Sequence, residues 1–202
     1  MSIWPGERTP PVVAVLQRPC GILVCFLLAT MLPGCGWWES GSAEDWQRVL
    51  AGIRHEFPGV RMLSTAELAA WLEAADRPKP VLIDARAPDE FAVSHLWGAH
   101  RAESVEEVER ILGGRRDVPI VVYCSVGYRS ARLARDLELA GFQEVYNLEG
   151  SIFQWANEGR PVYRGSKQVE AVHPYDRSWG RFLKKRFWNF GEGEVGGEAI
   201  PK

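Results

Sequence analysis

The stretch that most limits what this chain can become is Ile120-Val121-Val122-Tyr123-Cys124-Ser125-Val126-Gly127-Tyr128-Arg129-Ser130. A β-branched apolar run of this kind reads as a buried strand. It stops at a cysteine, passes through a short glycine-containing loop and restarts as a helix over 129–140, with Leu133, Leu137 and Ala140 at helical spacing. A cysteine between a strand end and a helix N-terminus meets free backbone N–H groups and the positive end of the helix dipole. Arg129 adds a full positive charge close by. Each of these favours thiolate over thiol, so the loop reads as the seat of a nucleophilic, anion-handling sulfur.

The same alternation runs along the rest of the chain. Residues 45–57 carry apolar side chains at helical spacing until Pro58-Gly59 breaks them, and 60–63 reads as a short strand. Ser64-Thr65-Ala66-Glu67 is a capping box that opens a helix over 65–75. Strand 81–84 ends in Asp84, and Pro88 sits in the first turn of a helix over 88–93. A brief strand at 99–102, a helix at 104–112 stopped by Gly113-Gly114, a strand at 144–148 and a closing helix at 152–157 complete the series. Strands that alternate with helices predict an α/β fold: a mostly parallel central sheet of about five strands, flanked by helices on both faces. In such sheets ligands sit at the carboxyl ends of the strands, where Cys124 falls. With 202 residues, 46% hydrophobic and 25% charged, there is room for one domain plus extensions, and a net charge of −2 gives no reason to expect nucleic acid as a partner.

The first residues read as a targeting segment. Arg8 and Arg18 precede an uncharged run over 20–32, too short to span a bilayer but suited to the core of a signal peptide. Leu32-Pro33-Gly34-Cys35 resembles the lipobox of bacterial lipoproteins, with Pro33 where a small residue is usual. The resemblance implies removal of 1–34, lipidation of Cys35 and attachment of the exported protein to a membrane, facing the periplasm. Trp37 and Trp38 follow at once, and indole rings prefer the membrane interface. Cys20 and Cys25 would leave with the signal and Cys35 would carry lipid, so Cys124 would be the only free thiol and no intrachain disulfide is expected. The expected organisation is a signal at 1–34, a tether and N-terminal helix at 35–58, a catalytic domain at 59–164 and an extension at 165–202.

Read together, the central segments resemble the rhodanese (sulfurtransferase) domain. Three blocks beyond the loop carry the resemblance. Val81-Leu82-Ile83-Asp84-Ala85-Arg86-Ala87-Pro88-Asp89-Glu90-Phe91 is similar to the family's D-x-R-x-x-x-E-[FY] signature. Ser94-His95-Leu96-Trp97-Gly98-Ala99-His100 is similar to its GHIxGA block, with Ser94 in place of glycine. Val145-Tyr146-Asn147-Leu148-Glu149-Gly150-Ser151-Ile152-Phe153-Gln154-Trp155 is similar to V-x-x-L-x-G-G-x-x-x-W, with Ser151 in place of the second glycine. Both departures are expected to affect local turns rather than chemistry. Within this fold, loop length separates sulfur transfer from phosphate chemistry. Here the first arginine follows Cys124 at i+5, Ser130 occupies i+6 and Tyr123 precedes the cysteine, which favours the six-residue sulfurtransferase loop over the longer phosphatase pattern.

The resemblance implies that Cys124 accepts a sulfane sulfur from thiosulfate or a persulfide and passes it to cyanide, a thiol or a protein cysteine. The backbone of Ser125, Val126, Gly127, Tyr128, Arg129 and Ser130 would hold the anionic donor and then the persulfide, and Arg129 would pair with the donor's oxyanion. Tyr128 is placed to shape access. Asp84, Arg86 and Glu90 are read as structural support, with Arg86 and Glu90 as an ion pair holding the loop network. A sulfur carrier with negligible turnover is the main alternative; a phosphatase or an arsenate-type reductase of the same fold is a further one. His95 and His100 have no carboxylate or cysteine at ligand spacing, so no metal is expected. No Gly-Lys-Ser/Thr loop is present, so no nucleotide cofactor is implied. In the extension, Trp179, Phe182, Leu183, Phe187 and Phe190 fall on one face of a helix drawn over 179–190, with Arg181, Lys184, Lys185 and Arg186 on the rest. That pattern fits a helix lying on anionic lipid or docking a partner, or aromatics that pack back onto the domain. Residues 191–202 are expected to be disordered.

Overall fold

Strand β4 (Ile120–Tyr123) is buried at all four positions and forms the centre of a five-stranded, all-parallel sheet. The computed structural model describes residues 41–191. The expected signal, the lipid site at Cys35, the Trp37-Trp38 pair and, Gly191 apart, the segment 191–202 expected to be disordered all lie outside the described residues. The sheet order is β1(Met62–Leu63)–β5(Val145–Leu148)–β4–β2(Val81–Asp84)–β3(His100–Arg101). Leu82 lies opposite Val121 and Asp84 opposite Tyr123, while Val122 on its other edge lies opposite Asn147.

Because side chains alternate across a strand, β4 serves two cores at once. Ile120 and Val122 face one layer, formed by α1 (Ala43–Glu56), α4 (Val105–Leu112) and α5 (Tyr128–Leu139) through Ile53, Val108 and Leu137. Val121 and Tyr123 face the other, formed by α2 (Thr65–Glu73) and α6 (Ser151–Asn157) through Leu68, Trp71 and Phe153. The short α3 (Pro88–Val93) follows β2.

The helix ends match their local chemistry. Ser42 Oγ accepts the Asp45 N–H at 3.0 Å, and α1 carries Glu44 and Asp45 in its first turn with Arg54 and His55 in its last, the arrangement its dipole favours. The capping box at α2 is formed: Glu67 N–H donates to Ser64 Oγ, and Ser64 N–H donates to the Glu67 carboxylate at 2.8 Å. Helix α4 ends on Gly113 in the left-handed region, with φ 61°.

Two features depart from the sequence reading. After α6 the chain forms a hairpin, β6 (Val162–Arg164) against β7 (Lys167–Val169), and His95 pairs with Tyr163 through both backbone bonds at 2.8 Å. The extension is then not a single amphipathic helix. It breaks into α7 (Arg177–Gly180) and a 3-10 turn at Lys185–Phe187. Phe182, Leu183 and Phe187 are only 8%, 3% and 6% exposed and join the core beside Val121 and Phe153. Burying each such side chain stabilises by about 1.5–3 kcal/mol, so these aromatics are committed to the fold and the lipid-surface reading of 179–190 is overturned. With α1 on one face and this tail on the other, the packed core runs beyond residues 59 and 164 in both directions.

The two ends of the described chain also meet. Gly41 N–H donates to Arg181 O at 2.8 Å, and Trp46 lies against Phe182 with ring centroids 5.2 Å apart. A Cβ at Gly41 would fall 2.5 Å from the Phe182 ring, so only glycine permits this approach.

Candidate active site

Strand β4 ends at the C-terminal edge of the sheet and delivers Cys124 there, 1% exposed, directly before the N-terminus of α5. The loop closes around the sulfur. Gly127 N–H donates to Cys124 Sγ at 3.1 Å and the Ser130 hydroxyl donates to it at 3.5 Å. Gly127 has φ 117°, a conformation that side-chain-bearing residues rarely adopt, and this turns its N–H onto the sulfur. Burial pushes the Cys124 thiol up, but the positive charge of Arg129, with the Ser130 and Gly127 donors, outweighs it and leaves the thiol below its ordinary value.

The far side of the loop is anchored by α6. Cys124 N–H donates to Ser151 Oγ at 3.0 Å, and that hydroxyl donates to Leu148 O at 3.0 Å. Ile152 and Phe153 N–H groups donate to the carbonyls of Cys124 and Ser125. Ser151 adopts φ 50°, which explains why glycine suits this position. The serine found here repays that conformation with a bond from the Cys124 backbone, so its replacement of glycine is not confined to a local turn.

Arg129 is held as a fork on Glu90: Nη1 donates to Oε2 at 2.7 Å and Nη2 to Oε1 at 2.8 Å. Its Nη2 also reaches Ser125 Oγ at 3.0 Å, and Ser125 Oγ donates to Glu90 Oε1 at 2.9 Å. The Tyr175 ring covers the guanidinium, 4.9 Å from its centroid. Burial raises the Glu90 carboxyl, yet its bond and charge interaction with Arg129 hold it below the ordinary carboxylate value.

Behind this pair lies a second one. Arg86 is fully buried and binds Asp84 through Nε at 2.9 Å and Nη2 at 2.7 Å, while Nη2 also donates to Ser94 O at 2.6 Å. The expected Arg86–Glu90 pair is therefore replaced by two pairs, Asp84–Arg86 and Glu90–Arg129. The reason is geometric: Asp84 ends β2 and reaches two residues along the chain to Arg86, while Glu90, in the first turn of α3, faces the loop. Arg129 thus reaches the site already bound to a carboxylate and acts on the sulfur by charge and by fixing Ser125, a different task from waiting as a free oxyanion clamp.

Above Cys124 opens a cleft of about 430 Å³. Ser125, Val126, Tyr128 and Arg129 line it, and the Tyr128 hydroxyl is tied to Glu56. Its walls were not foreseen: Val49, Gly52 and Ile53 of α1 on one side, Tyr175 and Trp179 of the tail on the other. Val49 and Ile53 belong to the helical spacing of residues 45–57, which by itself does not mark a cleft wall. A glycine in mid-helix, Gly52, was the one available sign that this face needs room.

The fold and loop define a class, and comparison with known proteins agrees with it. The family model for the rhodanese-like domain matches residues 64–158. The thiosulfate sulfurtransferase GlpE of Pseudomonas aeruginosa is 33% identical over 82 residues, which cover 41% of this chain and 71% of that protein. The chain belongs to the rhodanese-like family. The uncharacterized protein YqhL of Bacillus subtilis is 36% identical over 80 residues, covering 40% of this chain and 64% of YqhL, so the match spans less than two thirds of that relative. Among solved structures, a thiosulfate sulfurtransferase from Pseudomonas aeruginosa superposes with a TM-score of 0.50 at 23% identity, over 67% of this chain and 26% of that one, a likeness of fold. The match at 64–158 contains the Cys124 loop and excludes both walls of the cleft.

The Glu90–Arg129 pair makes an acid-stability test. Glu90 has a folded-state value below its ordinary 4.5, so its contribution is fully present above about that pH and is lost as pH falls through the folded value. In urea titrations the advantage of wild type over Glu90→Gln is expected to be constant near neutrality and to shrink below pH ~4.5. An advantage that grows on acidification would contradict the assigned pairing.

Proposed function

We propose that this protein is a sulfurtransferase that works through a Cys124 persulfide. The observation that carries the reading is the six-residue loop that aims the Gly127 N–H and the Ser130 hydroxyl at a buried sulfur whose thiol is depressed. The Cys124 thiolate attacks the outer sulfur of thiosulfate or of a persulfide. A new S–S bond forms on Cys124, the donor's own S–S bond breaks, and sulfite or a thiolate leaves with the bonding pair. The loop amides that stabilised the thiolate then stabilise the terminal sulfur, and a thiol, cyanide or a protein cysteine removes it in a second displacement. No general base is required when the nucleophile is already ionised.

The lipobox-like Leu32-Pro33-Gly34-Cys35 supports export and attachment through a lipidated Cys35, so the proposed site of action is the periplasmic face of a membrane. Thiocyanate production from thiosulfate and cyanide tests the chemistry. Wild type is expected to turn over and to gain the mass of one sulfur atom on incubation with donor, while Cys124→Ser loses both. Comparable activity in Cys124→Ser would sink the reading. A persulfide that forms yet reaches only a single protein acceptor would favour a carrier role in place of turnover.

A further inference from the structure

Building on the sulfurtransferase reading, we propose that the sulfur carrier served by this cleft is an organic persulfide or thiol with an apolar body, selected by Tyr175 and Trp179. The volume is the first argument. A cleft of about 430 Å³ lies in the range that takes small organic ligands, whereas thiosulfate would occupy only its floor.

The second argument is charge. Arg129 is already matched by Glu90, and Arg48 at the opposite wall is paired with Asp45 at 2.5 Å. Glu56 adds a negative group, occupied by the Tyr128 hydroxyl. A dianion entering here gives up hydration to walls of Val49, Ile53 and aromatic rings and meets cations that are already compensated. A persulfide in its protonated form, R–S–SH, brings no charge of its own into the cleft, and leaves its carbon body against those walls.

Two local costs in the chain point the same way. Gly52 lies inside the continuous helix α1, where glycine is a weaker helix former than alanine, and a Cβ there would meet nothing within 4 Å. The open space is thus kept at the expense of helix stability. On the facing wall, Tyr175 adopts φ 67°, a strained conformation for a tyrosine, held by its N–H bond to His173 Nδ1 at 3.0 Å. Neither Tyr175 nor Trp179 is consumed by the core; they are 48% and 36% exposed, while Phe182, Leu183 and Phe187 beside them are buried. Both lie outside the span the family model matches.

The step is R–S–SH plus Cys124 thiolate giving Cys124–S–SH plus the R–S thiolate. The bond from Cys124 Sγ to the terminal sulfur forms, the donor's S–S bond breaks, the proton stays on the transferred sulfur and the pair leaves with R–S. No external oxidant or reductant enters. The test compares kcat/KM for benzyl persulfide, glutathione persulfide and thiosulfate in the full chain. Wild type is expected to favour benzyl persulfide over each of the others by about tenfold or more. Trp179→Ala is expected to lower the benzyl persulfide to thiosulfate ratio about tenfold, chiefly through KM. Gly52→Phe fills the cleft from the other wall, where the backbone is ordinary helix, and should lower the same ratio. A preference for thiosulfate, or a ratio unmoved in both variants, would overturn the inference while leaving the sulfurtransferase reading intact. If Cys124 gains sulfur from none of the three donors, both readings fall.

Discussion

Arg129→Ala is expected to slow sulfur uptake by Cys124 about a hundredfold or more at neutral pH, the scale found when one preorganised electrostatic donor is removed from an active site. The argument runs through the thiolate. Burial raises the Cys124 thiol and Arg129 is the largest influence lowering it, with Ser130 and Gly127 adding less. Without Arg129 the thiol moves upward, so the alkylation rate by iodoacetamide should show its inflection at higher pH than in wild type. The deficit at neutral pH should narrow as pH is raised, because the variant then reaches the same ionised state. A second loss accompanies the first. Glu90, 2% exposed, is left without its fork, and breaking a buried pair from one side costs about 3–5 kcal/mol. Arg129→Lys separates the two effects: it restores a charge but not the bidentate geometry, so the pH inflection should return part of the way while stability stays low. An Arg129→Ala profile with an unmoved inflection would show that the loop amides alone set the nucleophile.

Arg86→Ala should be the most destabilising single change in the catalytic framework. Arg86 is entirely buried, binds both oxygens of an equally buried Asp84 and donates to the Ser94 carbonyl. Its truncation strips the guanidinium donors from a buried carboxylate, which keeps the backbone N–H of residue 86 at 3.0 Å, and from the Ser94 carbonyl, in a low-dielectric interior, at about 3–5 kcal/mol. Set against a typical total of about 5–15 kcal/mol for a domain, that is enough to shift the urea midpoint far down or to prevent folding. Removing Asp84 as well should recover part of the loss, since the uncompensated charge goes with it. A single-variant loss below about 1 kcal/mol would mean that water reaches the pair.

How much of this was legible in the sequence depends on what kind of interaction decides it. Strand β4, α3 and the capping box at Ser64 were plain because each is local: a period, a proline or a four-residue pattern. The parallel sheet followed from alternation, and Cys124 at its carboxyl edge followed from the sheet. Pairing among charged residues was not legible. Asp84, Arg86, Glu90 and Arg129 could be matched in several ways, and only the direction in which α3 leaves β2 selects the partners. The tail was left open, between a surface helix and aromatics packed onto the domain, for a related reason. Trp179, Phe182, Phe187 and Phe190 fit a helical face, but Phe182 and Phe187 contact the sheet layer individually, and tertiary packing overrode the period. Ser151 was invisible as a loop anchor because the contact from Ser151 Oγ to Cys124 N joins two crossovers.

The clasp between Gly41 and Arg181 bears on the order in which this protein acquires its properties. Closing a loop costs more entropy the longer it is, and contacts between distant positions are rewarded only after that cost is met. The nucleophile is made from near neighbours: β4, its loop and α5 are contiguous. The walls of the cleft require opposite ends of the described chain to find each other. On the function proposed above, the residues that would make the sulfur reactive are neighbours in sequence, while those that would select its carrier depend on closing the longest loop of the described chain.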